Sequence, residues 1–386
     1  MAKILILGSA HPLRGGGLAT FNERMARAFI EEGHQVDIYT FSLQYPGFLF
    51  PGKSQYSDEP APDDLSIKIK VNSINPFNWI KVGMEIKKLR PDILVIRYWI
   101  PFMAPCLGTI AFLAKRNRHT RVVAIADNIV PHEKRPADKL LTRFFVKKVH
   151  GFVVMSDSVK TDLARFKIPE NRVVFSPHPL YDNFGSPVSR QKAREQLNID
   201  PATNLVLFFG FIREYKGLDL LIRAFAKEQV RSLPVKLLVA GEFYINSENY
   251  YELARELGLK ERIIWHTHFI PDERVREYFC AANLVAQPYK RATQSGVTQI
   301  AYHFEIPMLV TNVGGLPEMV AHLKAGYVVN PDPIEIADSL ADYFSKGLEP
   351  EFSKFIAGEK KRFSWKNLID AVVSVASKKS KKYYGT

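Results

Sequence analysis

Cysteine is almost missing from this chain of 386 residues: Cys106 and Cys280 are the only two. Both stand among apolar neighbours in what read as separate domains. The sequence therefore holds no disulfide framework and no cysteine pair on which a zinc site could be built, and a reducing, cytoplasmic setting is expected. Long hydrophobic runs are missing as well. The most apolar long stretch, residues 95–114, is broken by Arg97, Pro101 and Pro105, which suits a strand turning into a helix better than a bilayer span. The opening residues, from Met1 to Gly8, turn polar too soon for a secretory leader and read as a buried first strand. No Asp-x-Asp occurs and no histidine stands at ligand spacing from carboxylates, so neither a metal nor a cofactor is expected. The three glycines Gly15, Gly16 and Gly17 do not follow the Gly-x-Gly-x-x-Gly spacing and no Walker lysine comes after them, which argues against a nicotinamide or P-loop site.

What is abundant is positive charge. Lysine and arginine number 53 against 40 acids, a formal net charge of +13, and this favours acidic partners: phosphorylated donors, anionic lipid or nucleic acid. Nucleic acid is set aside because neither a recognition fold nor an aromatic ribonucleoprotein box is present. Apolar residues make up 46% and charged residues 24%, the balance of a soluble globular protein. The length exceeds what one hydrophobic core usually serves, so two domains are expected.

Short Val- and Ile-rich runs at 4–7, 36–40, 67–71, 93–96, 122–125, 152–155 and 173–175 alternate with helix-length segments. They read as parallel strands covered on both faces, a doubly wound sheet. Turn residues and weak periodicity mark 181–189 as a linker. The alternation then restarts, with strands at 205–209, 235–240, 263–265, 284–286, 308–311 and 327–329 and helices such as 218–225, 248–257 and 274–281 between them. Two Rossmann-like α/β domains in series are predicted, 1–182 and 190–362, followed by 363–386 with a last helix from about 364 to 377 and a basic tail. Open parallel sheets take ligands at the carboxyl ends of their strands, so the glycine turn of the first half and the cationic turn of the second are expected to face one cleft.

Two segments carry the chemistry. After the apolar strand near 284–289, a small polar turn opens a helix, so that backbone amides of Ser295, Gly296 and Val297 are expected to point outward together as an anion site. In 208–217 a strand ends in glycine, and Arg213 and Lys216 follow three residues apart before the next helix. A planar guanidinium and a mobile ammonium together suit a diphosphate. The glycines at 15–17 permit close approach of a ligand, or form only a structural turn. His132 and Asn128 lie in a loop at the mouth of a strand, where a histidine is sugar-facing or merely solvated. Glu318 either caps the next helix or touches the ligand. His178 reads as a packed interdomain turn. The segment 137–149 combines Leu140, Leu141, Phe144 and Phe145 with Lys139, Arg143, Lys147 and Lys148. It is either a sheet-covering helix with a basic outer face or a rest on an anionic membrane.

Several of these pieces in this order resemble the retaining glycosyltransferases of the GT-B class, in particular the family 4 group. They are the Arg-Gly-Gly-Gly turn at 14–17, the run Asp-Asn-Ile-Val-Pro-His-Glu at 127–133, the Arg213 and Lys216 pair, Gln-Ser-Gly-Val at 294–297, Gly-Gly-Leu-Pro-Glu at 314–318, and Phe-Ser-Trp at 363–365 before the last helix. The resemblance implies the GT-B fold, with the C-terminal helix crossing back to the first domain. It implies metal-independent, retaining transfer of a sugar from a nucleoside diphosphate sugar, UDP- or GDP-linked, to a glycan or lipid-linked acceptor in polysaccharide or glycoconjugate synthesis. The protein would be cytoplasmic, with possible peripheral attachment to the membrane. Residue by residue, it assigns Lys216 and Arg213 to the leaving diphosphate and Gln294, Ser295, Gly296, Val297, Thr298 and Glu318 to the donor. Gly15, Gly16, Gly17 and Asn128 go to the acceptor or phosphate loop, and His132 to the sugar.

Two departures stand out. The paired glutamates common in this class fall here near Thr293 and on Gln299, Ile300 or Ala301, none of them acidic, and the commonest arginine position is occupied by Phe211. A sugar-nucleotide epimerase of the same plan is an alternative, but it wants carboxylates near the sugar ring and residues 291–303 hold none. A catalytically silent nucleotide-sugar-binding protein is the other.

Overall fold

The computed structural model describes residues 1–14, 17–47, 55–57, 60–130, 136–292 and 295–378. The chain divides into two compact units, residues 1–179 with 364–386, and residues 180–363.

The first unit is built on seven parallel strands in the order β3-β2-β1-β4-β5-β6-β7. These are β1 (Lys3–Leu7), β2 (Gln35–Leu43), β3 (Ser66–Asn72), β4 (Ile93–Tyr98), β5 (Arg121–Ala126), β6 (Gly151–Val154) and β7 (Val173–Phe175). Every residue of β4 is buried, including those pointing to opposite faces, which is why its first four residues, Ile93 to Ile96, are a continuous apolar run and not an alternating one. The connecting helices are α1 (Ala19–Glu31), α2 (Pro76–Leu89), α3 (Ala104–Ala114), α4 (Asp138–Val146) and α5 (Asp157–Arg165). Local signals set their ends. Asn75 accepts from Asn78 N–H ahead of Pro76, Arg90 closes α2 in the left-handed region, and the Ser156 hydroxyl caps α5.

The second unit repeats the plan with six parallel strands in the order β10-β9-β8-β11-β12-β13. Its elements in chain order are α6 (Arg190–Gln196), β8 (Asn204–Phe209), α7 (Leu218–Phe225), α8 (Glu228–Arg231), β9 (Val235–Ala240), α9 (Glu248–Glu256), β10 (Ile263–His266), α10 (Asp272–Ala281) and β11 (Leu284–Gln287). Then come α11 (Gly296–His303), β12 (Met308–Thr311), α12 (Leu316–Met319), β13 (Gly326–Val329), α13 (Pro333–Lys346) and α14 (Glu349–Glu359). The 181–189 segment is not a loose linker. Tyr181 and Phe184 are buried, and the segment belongs to this unit, which begins at Leu180.

The last helix, α15 (Trp365–Ser377), is capped by Ser364 and belongs to the first unit. Trp365, Leu368, Ile369, Val372 and Val375 are buried there. Trp365 packs 4.9 Å from Phe21 of α1, and Arg121 of β5 donates to the carbonyl of Ala376 at 2.9 Å. No helix among the described residues is long and apolar enough to cross a membrane.

Candidate active site

The donor-side residues of the second unit gather where β8 and β11, neighbours in the sheet, send their connections in opposite directions. β8 ends at Phe209, Gly210 follows, and the chain makes a short 3-10 turn over Glu214–Lys216 before Gly217 opens α7. Gly217 holds φ at +67°, and a Cβ there would collide with the carbonyl of Pro288, so only glycine lets the turn lie against the end of β11. Lys290 fastens it further. Its N–H donates to the Tyr215 carbonyl at 2.7 Å and its ammonium pairs with Asp219 at 2.8 Å.

Lys216 leaves this turn with Nζ 3.0 Å from the place a Cβ on Gly210 would take, and Val297 Cγ2 lies 3.9 Å from the same point. The lysine and the first turn of α11 thus meet above Gly210, although 80 residues of sequence separate them. Lys216 as a whole is half-buried, but its ammonium end is packed away from solvent. That burial pushes its pKa below the ordinary lysine value, with the Arg213 charge acting in the same direction. The ammonium faces the ring of Tyr289 at 5.4 Å.

Tyr289 links the two segments. Its buried hydroxyl lies 3.2 Å from Ser295 Oγ, which occupies the group that would otherwise cap α11. Ser295 holds the N-cap position in extended backbone, its side chain caps no N–H, and the first turn contains no acid. The leading amides of this eight-residue helix are therefore left for an anion, uncapped by any side chain among the described residues. Arg213 is directed elsewhere, its guanidinium 5.2 Å from the ring of Tyr244, close to Lys216 in charge but not converging on Gly210.

Thr298 requires a correction. It is fully buried and its hydroxyl donates to Gln287 Oε1 at 3.0 Å, so its side chain anchors α11 to the end of β11 and does not reach outward to a donor. Glu318 sits within α12, whose N-cap is Gly315, and is half-buried. Gln294, His132, Gly15 and Gly16 lie outside the described residues. An open groove of about 500 Å³ flanks the same turn, but Glu214, Asp219, Glu252 and Glu256 outnumber Arg223 and Lys290 in its lining, and the excess negative charge opposes a phosphate.

In the first unit the carboxyl ends of β1, β4 and β5 hold a buried ionic cluster. Arg97, near the end of β4, binds Asp127 through two bonds of 2.6 and 2.8 Å. Its guanidinium also lies 3.6 Å from the centre of the Phe21 ring. Arg97 Nη1 is buried without a hydrogen-bond partner among the described residues. His178 packs edge-on against Phe21 at 5.2 Å and donates from Nδ1 to the Pro179 carbonyl at 2.8 Å. Burial, reinforced by the Arg97 charge, holds its pKa down at about 3, so it is neutral. Asn128 follows Asp127 directly, half-buried at the mouth of β5. Gly17 stands two residues before α1, and Asn22 of that helix donates to Ser9 O at 2.9 Å.

Comparison with known proteins gives the family. Residues 189–362 match the profile of the glycosyl transferases group 1, and residues 15–180 match that of glycosyltransferase family 4. The chain belongs to the GT-B glycosyltransferases. A D-inositol 3-phosphate glycosyltransferase of Corynebacterium aurimucosum is 32% identical over 51% of this chain and 49% of its own; the match spans about half the length of such relatives. HepE from Anabaena, solved with UDP-glucose, superposes with a TM-score of 0.72 at 17% identity, covering 98% of this chain and 100% of that one. WaaG, a glycosyltransferase involved in lipopolysaccharide biosynthesis, gives 0.69 at 18% identity, covering 96% and 99%.

For this GT-B glycosyltransferase, the positions where the second family glutamate is expected are all in packing. Gln299 is fully buried against the sulfur of Met319, 3.8 Å away, and Ile300 and Ala301 are buried beside it. Sequence reasoning missed Tyr289, Tyr244 and Arg97. An aromatic within each of two strand-to-helix connections was the available signal for the tyrosines. The Arg97–Asp127 pair, 30 residues apart on neighbouring strands, had none.

Proposed function

We propose that the protein transfers a sugar from a nucleoside diphosphate sugar to a hydroxyl of a glycan or lipid-linked acceptor, with retention at the anomeric carbon and without a metal. The observation that carries this reading is the meeting of the Lys216 ammonium and the uncapped α11 amides above Gly210. Charge builds on the diphosphate as the sugar–oxygen bond breaks, and pre-aimed cations and helix amides stabilise it there. The acceptor hydroxyl then bonds to the anomeric carbon on the face the phosphate leaves, and its proton passes to the departing phosphate oxygen, so no carboxylate base is needed. Gly296 and Val297 offer backbone amides to the diphosphate, and Arg213 adds positive charge close to Lys216 without converging on Gly210. Gln294 and Glu318 serve the sugar. Gly15, Gly16, Gly17, Asn128 and His132 serve the acceptor side.

The UDP-glucose held by HepE supports a uridine donor as the first to test. The lipopolysaccharide role named for WaaG and the inositol phosphate named for the Corynebacterium relative support a hydroxylated, lipid-linked or phosphorylated acceptor. The deciding experiment supplies UDP- and GDP-sugars with and without acceptor extracts, in the presence of EDTA. Nucleoside diphosphate release that depends on acceptor, survives chelation and yields a glycoside of unchanged anomeric configuration by NMR is the expected result. An epimerised donor formed without acceptor, or tight binding with no turnover on any extract, overturns it.

A further inference from the structure

The outer face of one helix layer in the first unit has no part in the donor chemistry. In that layer α2 is apolar on two sides. Val82, Gly83 and Ile86 turn inward to the core, while Phe77, Ile80 and Met84 face outward at 85, 50 and 47% exposure. Their spacing puts them in one stripe along the helix, so this is a second apolar face, exposed and uncovered by any described residue. Ile74, just ahead of α2, is exposed as well. Two glycines draw the layer together. A Cβ on Gly83 would fall 2.8 Å from Leu113 of α3, and one on Gly108 would fall 2.5 Å from the Phe144 ring of α4. α4 adds Leu140, 71% exposed, and Lys148 rests its ammonium 5.1 Å from the Phe144 ring.

The charge on this layer is of one sign. In residues 76–90, 104–118 and 137–148 the only acids are Glu85 and Asp138. Glu85 is already held by Lys70 at 3.1 Å and by the Tyr39 hydroxyl at 2.7 Å. Lys81, Lys88, Arg116, Lys139, Arg143 and Lys147 are exposed. Apolar side chains standing among long cationic ones are what an interface of acyl chains below and phosphate headgroups above accommodates. A second copy of the chain would bring the same cations against themselves.

We propose that the α2–α3–α4 face seats the protein on an anionic lipid bilayer, with Phe77, Ile80 and Met84 entering among the acyl chains and the lysines and arginines meeting lipid phosphates. This goes beyond the transfer reaction and places the main contact on α2, with α4 as its flank. The test is flotation of the full chain with phosphatidylcholine vesicles and with vesicles enriched in phosphatidylglycerol, at low and high salt. The native chain, Phe77→Ser/Ile80→Ser and Lys81→Glu/Lys88→Glu are compared. Partition onto phosphatidylglycerol alone is expected, weakened at least about tenfold by high salt and by either double variant. Circular dichroism and UDP affinity serve as controls and should stay unchanged, because both pairs are exposed and UDP is assigned to the other unit. Equal binding to both vesicles, no binding, or indifference to both variants overturns the proposal. So does a concentration-dependent dimer that Phe77→Ser/Ile80→Ser abolishes. Failure here would leave the transferase reading standing, since that rests on donor turnover.

Discussion

Folding takes the ammonium of Lys216 out of water and sets it against the ring of Tyr289 and the space above Gly210, with no carboxylate among the described residues bonded to it. The unfolded chain holds this proton to higher pH than the folded one. The penalty is therefore full below the depressed pKa and fades as pH rises through it toward the ordinary lysine value. Lys216→Met is expected to raise the melting temperature of the ligand-free protein by about 3 °C and to weaken UDP binding by about ten- to a hundredfold, the loss of one charge-assisted contact. Calorimetry and a thermal melt on the same sample check both. The acid limb has another origin. His178 is held neutral with its pKa near 3 and His150 with its pKa at about 4, in each case mainly by burial. Their stabilisation is complete above the unfolded histidine value of about 6.5 and is lost as pH falls from there toward the folded values. His178→Asn should shrink the loss of unfolding free energy between pH 7 and pH 4 by on the order of 3 kcal/mol, measured by urea titration at each pH.

Single elements show how far sequence reasoning reaches. The strands were legible because parallel strands buried on both faces are short and mostly apolar, as residues 93–96 are. The cationic turn and the head of α11 were legible because glycine, serine and lysine there sit beside strand ends. Contacts across strands were not. Nothing local in Arg97 announces that it turns inward to Asp127, and nothing local in Thr298 says that its hydroxyl goes down to Gln287 instead of outward. Both are decided by which strands become neighbours. The Arg97–Asp127 pair makes its own prediction. Asp127→Ala strands a buried guanidinium, and the unfolding free energy should drop by about 3–5 kcal/mol in urea titration. Arg97→Met/Asp127→Leu should restore most of it, since an apolar pair of similar volume avoids the desolvation of both charges.

At the scale of the whole molecule, the chain's return to its first unit through α15 is a structural debt of the N-terminal sheet. Val375 stands so close to Gly151 of β6 that a Cβ there would collide with it, and each large apolar side chain buried by α15 is worth about 1.5–3 kcal/mol. Removing residues 364–386 is expected to strip hydrogen-exchange protection from β5, β6 and α1 while β8 to β13 keep theirs. Equal loss in both units would show that α15 is not a local brace.

The central claim is that the diphosphate is gripped where Lys216 meets the first turn of α11. Isothermal titration of UDP, GDP and ADP into the native protein, Lys216→Met and Val297→Pro, whose proline removes one of the amides, tests it most directly. One nucleotide should bind the native chain at least about tenfold more tightly than it binds either variant. Affinity that is unchanged in both variants, with the fold intact, would contradict the account.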